Sequence, residues 1–225
     1  MRLLATKLLS TNFKEALIKK GITLIEFPLI KITPIELKNY NVQSNLIFTS
    51  QNAVKIAFES DQIKLKIRGK KYFCVGEKTK AILEEMGQKV IKMKENAEDL
   101  ANCLIKEYNS QSFSFFCGKR RRTEIEFLFI KNKKVLQIHE LYDTIFTSKF
   151  FKKEFDGILF FSPSAVLSFF AENSWSNYTH GFCIGASTGE TLSKFTTNYS
   201  LAKHPNENQL LLSINKYYSR FYDKK

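Results

Sequence analysis

"IFTSQNAV" (Ile47–Val54) and "LFFSPSAV" (Leu159–Val166) place the same junction at two points of one chain. In each, an apolar run short enough for one strand stops at a serine, and an Ala-Val pair opens what reads as a helix. Ser50 and Ser162 lie 112 positions apart. A second pair, "FCVGEKTKAILEEMG" from Phe73 and "FCIGASTGETLSKF" from Phe182, repeats at a spacing of 109. A third, "NAEDLANCLI" from Asn96 and "NENQLLLSI" from Asn206, repeats at 110. More faintly, "LLATK" at Thr6 aligns with "FFCGK" at Gly118, and "IEFPL" with "IHELY". Blocks in one order at a near-constant spacing mark a duplication into two related halves of about 112 residues.

Each half reads as strands alternating with helices. "LLA" is a short strand, and Ser10, Thr11 or Asn12 caps a helix over "FKEALIKKG" that Gly21 ends. "ITLIEFPLI" reads as one further strand, which Pro28 and Pro34 push to an edge or out of the sheet. "NLIFT" is a buried strand, Gln51–Glu59 begins a helix, and "KKYFCVG", "EKTKAILEEMG", "KVIKM" and "AEDLANCLIKEY" continue the alternation. The second half repeats it, ending in a helix from Asn206. Strands joined by helices of about ten residues predict an α/β fold of parallel sheets covered on both faces.

Composition narrows the function classes. At 225 residues with 44% hydrophobic content, the chain holds one large domain or two small ones, each with a real core. No run approaches the ~18 apolar residues of a membrane span, and the start lacks the pattern of a signal peptide. Cys74, Cys103, Cys117 and Cys183 form no CxxC pair, so reduced thiols in a cytoplasmic protein are expected. His139, His180 and His204 lack metal-ligand spacing, so a zinc or iron site is not expected. The net charge of +13 leaves two readings open: a solvated lysine-rich surface, or an anionic partner.

In a parallel sheet, ligands meet the carboxyl ends of the strands, where backbone N–H groups and helix dipoles favour anions. The turns there carry Thr6-Lys7, Thr49-Ser50-Gln51-Asn52, Gly76-Glu77-Lys78-Thr79, Gly118-Lys119, Ser162-Pro163-Ser164 and Gly185-Ala186-Ser187-Thr188. Any one serine or threonine is also an ordinary helix cap worth about 1 kcal/mol. A duplicated set suits a ligand with several carboxylates or phosphates. No turn matches a P-loop or a dinucleotide fingerprint, and no G-x-S-x-G or Cys-His arrangement offers a nucleophile. "GKRRRTEIE" (Gly118–Glu126) reads as a solvated first helical turn or as an anion contact, because positive charge opposes the dipole at a helix start. Nucleic-acid binding through Lys119–Arg122 would need exposed aromatics beside it, whereas most of the 21 phenylalanines fall in strand runs.

Taken in order, "LLATK", "EFPLIKITP", "LIFTSQNAV", "CVGEKTKAILEEMG", "NAEDL", "CGKRRRTEI", "HELYDT", "GILFFSPSAVLSFF" and "CIGASTGETL" resemble the uroporphyrinogen-III synthase family over almost the whole chain. The resemblance implies two flavodoxin-like α/β domains joined by a two-stranded linker, with the active site in the cleft between them. It implies that the domains cut across the repeat: 1–33 with 148–225 in one, 36–144 in the other, and crossings near 34–35 and 145–147. It implies a monomeric, cofactor-free cyclising lyase that turns hydroxymethylbilane, a linear tetrapyrrole with eight carboxylates, into uroporphyrinogen III. The upstream enzyme that makes hydroxymethylbilane is then a candidate partner, and neither nucleic acid nor membrane is one. Tyr142 matches the tyrosine favoured in that family as proton donor to the leaving hydroxyl. Thr6, Lys7, Ser50, Gln51, Asn52, Gly76, Thr79, Gly118, Arg122, Ser162, Ser164, Gly185, Ser187 and Thr188 would line the cleft. Two positions depart from the family pattern. Lys7 stands where arginine is usual and loses a bidentate carboxylate donor, and Ala165 stands where glycine follows Ser-Pro-Ser, narrowing backbone freedom there. A non-catalytic module that closes on a polyanionic small molecule is the alternative.

Overall fold

A computed structural model describes residues 1–222. In chain order the elements are β1 (Arg2–Ala5), α1 (Thr11–Ile18), β2 (Thr23–Glu26), β3 (Ile30–Pro34), β4 (Asn45–Phe48), α2 (Gln51–Glu59), α3 (Asp61–Ile67), β5 (Lys71–Val75), α4 (Glu77–Glu85) and β6 (Val90–Lys94). They continue with α5 (Ala97–Glu107), β7 (Phe113–Gly118), α6 (Glu124–Lys131), β8 (Leu136–Phe146), β9 (Gly157–Phe160), α7 (Pro163–Phe170), β10 (His180–Cys183), α8 (Ala186–Leu192), β11 (Tyr199–Leu201) and α9 (Glu207–Tyr222). The chain divides into two compact units, Met1–Lys31 with Ile145–Lys225, and Ile32–Thr144.

Local chemistry sets most element ends. Ser10, Ser50, Asn96 and Ser162 each accept a backbone N–H of the helix that follows, satisfying a donor that has no partner inside the helix. Gly21 and Gly87, at φ +69° and +73°, turn the chain after α1 and α4 in a conformation that disfavours other residues. The expected single strand "ITLIEFPLI" is in fact two. Pro28 supplies no N–H, so β2 stops at Glu26, and the chain re-forms as β3 at the edge of the second sheet, where Pro34 is tolerated.

The first unit's sheet runs β2-β1-β9-β10-β11 and is parallel throughout. The second runs β3-β8-β7-β4-β5-β6, parallel from β8 to β6. The duplicated blocks make these the same sheet. β1, β2, β9, β10 and β11 correspond to β7, β8, β4, β5 and β6, and equivalent strands take equivalent places. Each unit therefore combines the first two strands of one half-repeat with the last three of the other. In each, the direction of strand succession reverses between two central strands: β1 and β9 in the first unit, β4 and β7 in the second.

Of those central strands β4, β7 and β9 are buried along their whole length, and β1 is buried from Leu3 to Ala5, which explains their apolar runs. Alternation distributes their side chains to two faces. Leu46, Phe48, Tyr72, Phe116 and Leu141 pack under one face of the second sheet, and Ile47, Phe73, Phe113, Phe115 and Phe129 under the other. The phenylalanine content is thus mainly core.

Two histidines belong to that interior. His139 Nε2 lies 3.1 Å from Ser114 Oγ, while His180 bridges Asn198 Oδ1 (2.7 Å) and Ser200 Oγ (3.1 Å) and stacks on Tyr217. Burial holds both imidazoles below their ordinary value of 6.5, against a smaller opposing pull from Asn198 at His180. The unfolded chain therefore binds more protons than the native one just below that value. Stability is full above pH 6.5 and declines as pH falls through the native values. The urea midpoint should drop between pH 7.5 and 5.5, before the carboxylates titrate. An unchanged midpoint would exclude this linkage.

Candidate functional site

In the second unit, the reversal point between β4 and β7 is where a parallel sheet opens a crevice at its strand ends. β4 leads through Thr49 to Ser50, whose extended backbone caps α2. Its Oγ accepts the Asn52 N–H at 3.2 Å and shares a 2.8 Å hydrogen bond with the Tyr142 hydroxyl. Tyr142 comes from β8 by way of an irregularity. The register with β7 shifts between Cys117 and Gly118, so Cys117 faces Glu140 while Gly118 faces Tyr142. Lys119 N–H donates to the Tyr142 carbonyl at 2.8 Å. The phenol ring lies directly over Gly118. A Cβ there would come within 2.6–2.9 Å of the ring carbons and hydroxyl.

The phenol is only 8% exposed. Burial pushes its pKa above the ordinary 10, opposed by hydrogen bonds from Ser50 and, more weakly, the Asn52 side chain. The group keeps its proton at neutral pH, and its two neighbours are placed to stabilise the phenolate once the proton leaves. Gly118→Ala should therefore uncouple activity from folding. The methyl displaces the ring from Ser50, and a shift of ~1 Å would cost about 10²-fold in turnover under the role for this phenol proposed below. Overpacking costs only about 1–3 kcal/mol. Turnover measured beside the urea midpoint checks this; equal turnover with a lowered midpoint would contradict it.

The basic run before α6 is not the first helical turn that its sequence suggests. α6 begins at Glu124, and its first turn carries Glu124 and Glu126, which suit the dipole. Arg121 is the inward member. It pairs with Glu126, reaches Glu140 at 2.6 Å and donates to the Gly118 carbonyl at 3.2 Å, tying the turn beneath Tyr142. Arg120 pairs with Asp143, and Arg122, the sequence-based candidate, points outward beside Glu124 at 3.7 Å. No spacing rule distinguishes three consecutive arginines; their partners on α6 and β8 do.

Of the other expected residues in this unit, Gln51 is exposed at the first position of α2. Gly76 caps α4 at φ +82°, and Thr79 is buried one turn into that helix. Ser50, Asn52, Gly118 and Tyr142 are drawn together.

The first unit has the equivalent reversal between β1 and β9. Thr6 is buried, and both its hydroxyl (2.8 Å) and its N–H (3.1 Å) donate to the Leu159 carbonyl. Lys7 Nζ sits 4.5 Å above the Phe161 ring and 2.8 Å from Glu207 Oε1. Ser162 caps α7 by accepting the Ala165 N–H, with Ser164 half-buried beside it. Gly185 precedes α8 in extended conformation; within that helix Ser187 is exposed and Thr188 buried. Ala165 lies inside α7, where alanine is better than glycine by about 1 kcal/mol, so the departure from glycine removes no freedom that the turn needs. The repeat sets Leu29, fully buried, where the second unit has Tyr142; only one of the two equivalent reversals carries a phenol.

Among the described residues, no group of three His, Cys, Asp or Glu side chains could hold a metal ion, and no helix is long and apolar enough to cross a membrane. Two parallel sheets with donor-rich turns at their strand ends define an α/β protein of the kind that binds its ligand at those ends. The family model described as Uroporphyrinogen-III synthase HemD matches residues 11–211. The chain belongs to the uroporphyrinogen-III synthase family, and is a cyclising lyase of tetrapyrrole biosynthesis.

The fold agrees with solved relatives. The uroporphyrinogen-III synthetase of Helicobacter pylori superposes with a TM-score of 0.70 at 16% identity, over 96% of this chain and 100% of that one. A mutant uroporphyrinogen III synthase of the extremely thermophilic bacterium Thermus thermophilus gives 0.70 at 12% identity, over 98% and 99%. Sequence comparison with curated proteins finds no match.

Proposed function

We propose that Tyr142 is the general acid that starts the cyclisation of hydroxymethylbilane. The phenol protonates the ring-A hydroxymethyl oxygen as its C–O bond breaks, and water leaves with formation of an azafulvene. The substituted ring-D carbon attacks this centre, giving a spiro intermediate whose fragmentation and reclosure invert ring D. The proton lost when the last ring regains aromaticity replaces the one Tyr142 gave, so the net change is loss of one water. Ser50 donating to the Tyr142 oxygen leaves the phenol proton free for the substrate, and Ser50 and Asn52 then hold the phenolate. The observation that carries this reading is the 2.8 Å contact between a buried, protonated phenol and Ser50 at the β4–β7 reversal.

The reading extends to binding. Turns of both units hold carboxylates of one substrate molecule and keep the linear chain from closing directly to the type I isomer, a positional rather than covalent contribution. It includes the two-domain organisation with crossings near 34–35 and 145–147, and a cytoplasmic monomer that receives hydroxymethylbilane from the enzyme making it. Three of the four free cysteines are buried, with thiols pushed up to about 12 by burial, which suits a reducing compartment. Incubation with freshly made hydroxymethylbilane, oxidation to porphyrins and resolution of the isomers tests the reading. Uroporphyrin III is expected. Tight binding with only the type I isomer would favour a non-catalytic polyanion-binding module.

A further inference from the structure

The turn after β1 is built to take a carboxylate, and it holds one from the protein itself. Lys7 Nζ donates to Glu207 Oε1 at 2.8 Å, and Ser10 Oγ donates to Oε2 at 2.5 Å. Glu207 is the first residue of α9, 200 positions from Lys7 in the chain. The donors stand at the β1–β9 reversal, as the 4.5 Å approach of Lys7 to Phe161 of the β9–α7 turn shows. Here an α/β sheet presents an anion site to its ligand.

We propose that Glu207 is an affinity-setting residue: its carboxylate occupies the Lys7–Ser10 subsite as an internal competitor, which a substrate carboxylate must displace. This rests on the substrate class proposed above. The subsite contributes no net charge while Glu207 fills it and a full positive charge once Glu207 moves aside. The pair is partly solvated, at 44% and 23% side-chain exposure, so the competition is weak enough for substrate to win. Glu207 thus sets how tightly this unit grips a polycarboxylate and leaves the chemistry at Tyr142 to the other unit.

The test compares Glu207→Gln with the parent chain. Gln keeps the shape of the side chain and removes its charge. The KM for hydroxymethylbilane should fall about 2–5-fold, the range expected of an exposed ion pair. Binding of uroporphyrin III, followed by fluorescence quenching, should tighten by the same factor. Both gains should vanish at ~1 M salt, where charges are screened within about 3 Å. In a Lys7→Met background, which removes the attracting cation, Glu207→Gln should produce no gain. Unchanged or weaker binding by Glu207→Gln in the Lys7 chain overturns the inference, as does an equal gain in the Lys7→Met background. The uroporphyrin arm does not depend on turnover. Loss of the type III product by the parent chain therefore counts against the proposed function, while an unmoved binding constant counts against the role of Glu207.

Discussion

Tyr142→Phe forms uroporphyrinogen III about 10²-fold more slowly than the parent chain, while the type I isomer accumulates from spontaneous closure. The magnitude is the low end for general acid catalysis, because water can still protonate the departing hydroxyl. The change should be confined to turnover. Phenylalanine retains the ring over Gly118, and the lost hydrogen bond to Ser50 is worth only about 1 kcal/mol of folding. Ser50 continues to cap α2 through the Asn52 N–H. A pH profile separates this role from a structural one. The phenol's pKa lies above 10, so the acid stays protonated through neutral and mildly alkaline solution. Turnover in the parent chain should show no alkaline loss assignable to this group below pH 10. An unchanged type III rate in Tyr142→Phe would remove Tyr142 from the mechanism.

Phe116→Ala should sharply destabilise the fold. Phe116 is fully buried in β7, stacked on Phe48 at 5.2 Å and on His139 at 4.7 Å. Truncating such a side chain costs about 3–5 kcal/mol, a large share of the ~5–15 kcal/mol that holds a domain together. The cavity opens in the same cluster that packs Tyr142, so activity should fall with stability, in contrast to Gly118→Ala. Phe127, 63% exposed on α6, is the control: its alanine variant should lie within about 0.5 kcal/mol of the parent. Urea unfolding of the three proteins decides the matter, and similar midpoints for both alanine variants would refute the packing argument.

Tyr142 and Arg121 mark the limit of what a linear chain reveals. Tyr142 stands out in the sequence by family likeness. Its hydrogen bond to Ser50 joins residues 92 apart, and its orientation depends on a register shift that no local pattern announces. Arg121 gives way to Arg122 in a sequence reading because consecutive arginines look alike until Glu126 and Glu140 choose between them.

Whatever near neighbours govern is legible in the chain. Serine and asparagine caps, glycine turns and apolar runs act within a few residues, so the alternating elements and the duplication are read directly. Long-range pairing chose which strands meet. The duplication alone is equally consistent with each half folding on itself, because matching halves bury equivalent faces. Only the pairing of β1 with β9 and of β4 with β7 exchanges them. That exchange assembles the β4–β7 reversal and brings Gly118 and Tyr142 of the second half to Ser50 of the first. It also folds α9 back so that Glu207 meets Lys7. Side-chain chemistry here follows from contacts far apart in the chain, and a one-dimensional pattern carries no distance between them.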